Sequence, residues 1–269
     1  MSGFVLKLRA SPAMRLDLTG FIPSKLAALS AVDIERSVIP TEFGPAKVGD
    51  LFSVSGSASE TLNIEGSTDR LDFIGHGLDL GTIVVEGDAG AYAGSDITRG
   101  KLEIRGNAGA YLASGAKGGL VTVKGSAGEF LGGARSGERF GMLGGTVIVE
   151  GSVGQRAGER MRRGTVIARG AFGPAAGSRM VGGTLWTEKG FGAGPGPLLR
   201  RGTLIGPAVE GLLPTFSDCG RHDLTILRIL NRYMADTLGA LAPRPLPALV
   251  RRLAGDMAAI GKGEILLTA

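Results

Sequence analysis

The sequence predicts an all-β protein: a right-handed parallel β-helix, a single-stranded solenoid of about 19-residue coils, with an α/β N-terminal cap and C-terminal helices. Three observations predict it. Glycine supplies 47 of 269 residues, without the every-third spacing of collagen. A glycine-led unit recurs at a fixed interval. Inside each unit, β-branched residues alternate with polar ones over about five positions, which is a strand signal.

The repeat is read from its starting glycines, Gly81, Gly100, Gly119, Gly145, Gly164, Gly183 and Gly202. Successive intervals are 19 residues, except for one of 26 between Gly119 and Gly145. The extra seven residues lie within "GARSGERFGML", 133–143. A weaker first copy is "TLNIEG", 61–66. Nineteen residues are too few for a βαβ unit, which needs about 30. They suit one coil that rises by a strand spacing of about 4.8 Å. A phosphate-binding glycine loop opens a single helix and does not recur in register, so these glycines are assigned to turns.

Columns set the register. Two residues after each starting glycine come Ile83, Leu102, Val121, Val147, Val166 and Leu185; four after come Val85, Ile104, Val123, Val149, Ala168 and Thr187. Both columns point inward. Five after come Glu86, Arg105, Lys124, Glu150, Arg169 and Glu188, outward and mostly of opposite sign in neighbouring coils. A second inward column is Ala89, Ala108, Ala127, Val153 and Phe172. Glycine follows each of these residues (Gly90, Gly109, Gly128, Gly154, Gly173), marking a corner that needs positive φ or close backbone stacking.

Three segments follow: a cap over 1–60, the repeat over 61–206 and a C-terminal segment and tail over 207–269. In the cap, "FVLKLRA" and "MRLDLTG" read as strands, and "PSKLAAL" and "AVDIERS" as short helices. Behind the repeat, His222–Leu241 carries apolar residues at helical spacing, and "LPALVRRLAGDMAAI" reads as a second helix. A solenoid has open strand edges at both ends, and such caps cover them.

Composition narrows the function. At 43% hydrophobic residues the chain can bury a core, although aromatics are only 5%. A net charge of +5 permits an acidic partner; no feature points to nucleic acid. No apolar run is long enough for a membrane span, and the start "MSGFVLKLRASPAMRLDLTG" does not read as a signal peptide, so a cytoplasmic location is expected. Cys219 is the single cysteine, and His76 and His222 are the two histidines. His76 sits at a Gly-His-Gly turn, and Cys219 and His222 are too close in sequence to make a convincing nucleophile and base. "GAGPGP", 192–197, resembles a nucleotide fingerprint only superficially, because its prolines remove N–H donors. No zinc motif, P-loop lysine or metal-ligand cluster is present, so neither a catalytic residue nor a metal or cofactor site is assigned.

Two surface features remain. Three residues after the starting glycines come Val84, Glu103, Thr122, Ile148, Ile167 and Trp186. By the register these point outward. Ile148, Ile167 and Trp186 are then either covered by a cap or helix of the chain itself, or form an interface for a partner. The interface reading expects Ile167→Asp to leave the rod folded and to release a partner. A basic edge is the second feature. Lys117, Arg162 and Arg200 precede a starting glycine by two residues, Arg163 and Arg201 by one, and Arg160 and Arg179 by four. Equal positions stack in a β-helix, so these residues share a corner, with Arg135 and Arg139 of the insertion nearby in sequence. The plain reading is a solvated corner.

The 19-residue glycine repeat, "VGDLFSVSG" before the first coil and the terminal "LAGDMAAIGKGEILL" resemble the formylmethanofuran dehydrogenase C-subunit family. The repeat is shared with the C-terminal domain of the glutamate synthase large subunit, but the tail motif is not expected there. The resemblance spans nearly the whole chain. It implies one of two settings: a molybdenum or tungsten dehydrogenase of methanogens, or the formyltransferase/hydrolase complex of methylotrophic bacteria. The Arg-rich composition favours the second. In that setting the resemblance implies a β-helical scaffold without catalytic residues. Its partners would be an amidohydrolase-like subunit, a formyltransferase and a third subunit. Together they would move formyl from tetrahydromethanopterin to a methanofuran-type carrier and release formate. Such carriers have polyglutamyl tails, which a row of arginines on the basic edge can hold. A glutamate synthase-like domain and a stand-alone polysaccharide-acting β-helix are the alternatives. The second would need carboxylates clustered on one outer face, and the outward column alternates sign instead.

Overall fold

The computed structural model describes residues 3–269. Its main sheet has thirteen strands, and all but three of its pairings form one parallel ladder along the chain. The coil strands Thr61–Ser67, Thr82–Gly87, Lys101–Ile104, Lys117–Val123, Leu143–Val149, Arg163–Ala168, Thr184–Thr187 and Arg201–Gly206 stack in sequence order. The pairs Ile83↔Leu102, Leu102↔Val121, Val121↔Val147 and Val147↔Val166 follow the columns read from the sequence. These side chains, and Val85, Ile104, Val123 and Val149, are buried in one continuous core. On a second side, parallel bridges link Ala89, Ala108, Ala127, Val153, Phe172, Phe191 and Val209. This is the β-helix that the repeat predicts.

The two glycine columns do different work. The starting glycines have positive φ, from 73° at Gly119 to 108° at Gly202, where a side chain would be strained. The second column answers to closeness instead: a Cβ on Gly109 would lie 2.7 Å from the Gly90 carbonyl carbon in the coil beneath. The outward charged column pairs across coils: Arg105 to Glu86 at 2.6 Å, and Arg169 to both Glu150 at 2.7 Å and Glu188 at 3.1 Å.

Each end of the ladder is closed by antiparallel strands. At the front, Phe4–Leu8 runs parallel to the first coil strand and Phe52–Ser55 pairs antiparallel outside it. Short helices Pro23–Leu26, Ala31–Arg36 and Val48–Leu51 fill the cap, and Ser30 and Asp33 form a capping box on the second of them. At the back, the tail strand Lys262–Leu267 adds in parallel to Arg201–Gly206, as if it were one more coil. Leu249–Gly255 and Ser217–Asp223 then pair antiparallel outside it.

Two sequence expectations are corrected here. "LPALVRRLAGDMAAI" is not a helix: its centre is the strand Leu249–Gly255. Its apolar spacing suits a helix, but pairing with Lys262–Leu267 satisfies its backbone as a strand. The helix expected over His222–Leu241 is shorter, Thr225–Leu238, and His222 lies in a strand. The partner interface assigned to Ile148, Ile167 and Trp186 is also corrected. These side chains are 1%, 0% and 2% exposed. They form a second core with Ile205 and Leu266, and Leu227 and Met234 of the helix Thr225–Leu238 pack onto them. The chain covers its own outward row. Asn231 fixes the helix by two 2.8 Å hydrogen bonds with the Leu246 backbone, and Arg169 donates to the carbonyls of Leu241 and Ala242.

Asp256 locks the tail to the last corner. It is 3% exposed, and its carboxylate accepts from the amides of Leu198 and Ala258, each at 2.8 Å. Burial works against the charge, but the Thr215 side chain and these two amides outweigh it and hold the pKa below the usual carboxylate range.

Two outcomes are expected. Ile167→Asp places a charge in a sealed core and unfolds the chain, while Ile167→Ala costs about 2–5 kcal/mol in a denaturant titration. A folded Ile167→Asp protein would contradict the covered-row geometry. Because the folded pKa of Asp256 is depressed, its stabilisation is complete above the unfolded value near 4 and is lost as pH falls through the folded value. Asp256→Asn therefore lowers the melting temperature at pH 7 and flattens its fall as pH drops below the ordinary carboxylate value near 4. An unchanged acid limb would show that other carboxylates control it.

Candidate functional site

The corner that leads into the glycine-led strands holds the basic edge. In each coil the chain turns there through left-handed positions, and non-glycine residues occupy several of them. Arg160 and Arg179 both have φ of 53°, one coil apart. Their amides bond to the next coil, Arg160 N to Ser178 O at 3.0 Å and Arg179 N to Pro197 O at 2.8 Å. The backbone thus stacks these two residues as the repeat predicts.

A cleft of about 420 Å³ opens here, lined by Arg139, Arg160, Arg179 and Arg200, with Phe140, Leu198 and Ala259 among its apolar members. The insertion supplies two of these. Phe140 has the guanidinium carbon of Arg139 5.0 Å from its ring centroid and that of Arg162 at 5.1 Å, so the ring holds two cations at the rim. Arg160 donates to the Glu138 carbonyl at 3.3 Å. Arg179 lies 3.7 Å from Glu159, a carboxylate that Arg156 also contacts at 2.9 Å. Arg135 faces a different set of groups. Burial disfavours its charge, yet bonds to Glu138 and Asp96 prevail and raise its pKa. A guanidinium committed to two carboxylates is a strut of the insertion rather than a free cation.

The predicted basic residues therefore divide. Arg160, Arg179 and Arg200 line one cleft, and Arg162 joins them through Phe140. Lys117, Arg163 and Arg201 do not line it. They are exposed at the starts of coil strands, opposite Gly144, Leu143 and Lys262 respectively. At Arg163 and Arg201, one residue before the starting glycine, the chain has already turned into the strand. Lys117 stands two before its glycine, but its strand starts early, with a register shift between Lys117 and Leu120. The single shared corner expected for all seven is corrected to a cleft and a separate strand-start row. Sequence reasoning missed Phe140, Leu198 and Ala259, because they come from an insertion, a later coil and the tail.

It also missed a ladder that the spacing carried in plain view. Phe73, Tyr92, Tyr111 and Phe130 stack with centroids 4.8, 5.1 and 4.9 Å apart, and the Arg156 guanidinium lies over Phe130 at 5.2 Å. All four aromatics have positive φ, between 57° and 61°. Burial of the Tyr111 hydroxyl, with Tyr92 and two glutamates nearby, raises its pKa. The ladder runs along the solenoid, and its last two rings, Tyr111 and Phe130, line a second pocket with Arg156 and Arg160, of which Arg160 also lines the cleft.

The remaining polar candidates are engaged within the chain. His76 Nδ1 is 2.8 Å from Ser95 Oγ and 3.8 Å from Asp96. His222 Nε2 is 2.8 Å from the Cys219 carbonyl, so the imidazole meets backbone and not the thiol. Among the described residues, no three His, Cys, Asp or Glu side chains are grouped to hold a metal ion. Among them, no helix is long and apolar enough to cross a membrane.

Fold and site together define a capped glycine-repeat β-helix with a basic cleft built on one row of corners. No family model matches the chain. The C subunit of the Fhc formyltransferase/hydrolase complex of Methylorubrum extorquens is 48% identical over 264 residues, covering 98% of this chain and 99% of that protein. The X-ray crystal structure of the formyltransferase/hydrolase complex (FhcABCD) from Methylorubrum extorquens, in complex with methylofuran, contains a chain that superposes with a TM-score of 0.94. The superposition has 38% identity and covers 98% of this chain and 99% of that one. The chain belongs to the C-subunit family of the formyltransferase/hydrolase complex.

Proposed function

We propose that this chain is the non-catalytic scaffold subunit of a formyltransferase/hydrolase complex. In that assembly, formyl passes from formyl-tetrahydromethanopterin to a methanofuran-type carrier and leaves as formate. The other subunits, an amidohydrolase-like chain, a formyltransferase and a third, supply the chemistry. The observation that carries this reading is the match to a C subunit over 98% of this chain and 99% of that protein.

Within this role the basic cleft holds the polyglutamyl tail of the carrier. Four arginines at one mouth provide planar, permanently charged donors that match carboxylates in bidentate pairs. The strand-start row of Lys117, Arg163 and Arg201 extends positive charge beyond the cleft for a long flexible anion. A tail held on the scaffold leaves the formyl-bearing end free to visit two active sites, at an effective concentration set by the length of the tether.

Arg160→Glu combined with Arg179→Glu tests this on the purified complex. Two exposed ion pairs lost, with repulsion added, amount to about 1.4 kcal/mol or more, roughly tenfold in carrier retention. The deficit is largest at low ionic strength, where exposed charges are least screened. Transfer to a short carrier without the tail stays at wild-type rate. Equal retention of the native carrier at all salt concentrations would reduce the cleft to a solvated corner.

A further inference from the structure

The helix Thr225–Leu238 is apolar over more of its surface than the body of the protein covers. Leu227 and Met234 are buried against Ile148, Ile167, Trp186 and Ile205, and Leu230 and Leu238 pack at the margin. One step round the helix, Ile226, Ile229 and Tyr233 form a second row at i, i+3 and i+7. They are 58%, 58% and 57% exposed. Single exposed apolar residues are ordinary on a protein surface; three large ones aligned on one helix are not. A helix with one apolar stripe needs one neighbour, and a wider apolar arc is made for burial on a second side.

The charges around this row are already matched within the chain. Arg228 makes a two-pronged ion pair with Asp223, with both bonds at 2.7 Å, and Arg232 lies 3.7 Å from Asp236. The row is therefore an uncharged ridge with a neutral rim. Such a surface suits neither the anionic carrier nor a strongly charged partner. The i, i+3, i+7 spacing is that of the ridges by which helices interlock. The helix is also not needed to close the solenoid, because strands Leu249–Gly255 and Ser217–Asp223 already end the sheet.

We propose that Ile226, Ile229 and Tyr233 are the docking ridge for a different subunit of the assembly, one that presents an uncharged apolar helix face. This rests on the reading of the chain as a member of a multi-subunit complex. The inner row of the helix serves the fold and the outer row serves the assembly, so a single 14-residue helix joins solenoid to partner.

The test is Ile229→Glu in the full chain, tagged and co-produced with the other subunits of its complex, alongside Ala235→Glu, an exposed position away from the apolar arc. Native mass spectrometry reads which subunits stay with the tag. Ile229→Glu lowers recovery of one partner subunit by about tenfold or more, while Ala235→Glu retains all of them. The two full-length chains have the same melting temperature. Replacing Tyr233 with p-benzoyl-phenylalanine gives a second readout that does not depend on a disruptive variant: irradiation crosslinks it to a different subunit. Wild-type stoichiometry in the Ile229→Glu complex, or a crosslink only to a second copy of this chain, overturns the proposal. If the wild-type chain recovers no other subunit at all, the failure belongs instead to the scaffold reading.

Discussion

Everything in this molecule depends on how closely one coil can lie on the next. A parallel β-helix bonds each turn to its neighbours at one strand spacing, about 4.8 Å. At the second corner the backbones approach so tightly that only glycine fits. A Cβ on Gly128 would lie 2.9 Å from the Ala110 amide nitrogen, and one on Gly173 would lie 2.8 Å from that of Gln155. From Gly90 to Gly192 each turn returns a glycine to this place, after 19 residues in every coil but the one of 26 that carries the insertion. This closeness sets what the period can carry. Equal positions must stack, so a residue type repeated at one position becomes a ladder: aliphatic inside, alternating charge on one face, aromatic on another.

Stacking also explains how a regular rod acquires distinct surfaces. Along the column three residues after the starting glycine, the side chains change from Val84, Glu103 and Thr122 to Ile148, Ile167 and Trp186. The later half is apolar where a helix lies on it. The insertion at 133–143 interrupts the period once. The interruption is held by Arg135 between Asp96 and Glu138, and it places Arg139 and Phe140 at the mouth of the cleft. A strictly periodic rod repeats one surface; a single irregularity and a returning tail make one region unlike the rest.

The ends show how the exposed edges of such a rod are managed. Both are finished by antiparallel strands, drawn from the N-terminal cap in one case and from the tail in the other. At the back, the order of the strands in space is not their order in the chain: the last strand joins the last coil, and the two preceding strands are added outside it. The buried Asp256 fastens this rearranged end to the corner at Leu198, close to the basic cleft. The cleft and the tail are thus mechanically one region, since Leu198 and Ala259 line it together.

The period, the register, the inward columns, the opposite-charge column and the stacking of Arg160 on Arg179 are all legible in the residues alone, because each is a property of fixed local spacing. The aromatic ladder is equally legible, since Phe73, Tyr92, Tyr111 and Phe130 keep the 19-residue interval. What lies over Ile148, Ile167 and Trp186 is not, since an apolar outward row looks the same whether its cover is the chain's own helix or another protein. The strand Leu249–Gly255 was also settled only in three dimensions. Apolar residues at 246, 250 and 253 satisfy a helical spacing, and the choice was made by a neighbour, Lys262–Leu267, that is itself positioned by the last coil. The division of the basic residues has the same origin. Arg200 and Arg201 are adjacent in the chain, but the chain turns between them, and the turn sends one side chain to the cleft and the other to the start of a strand.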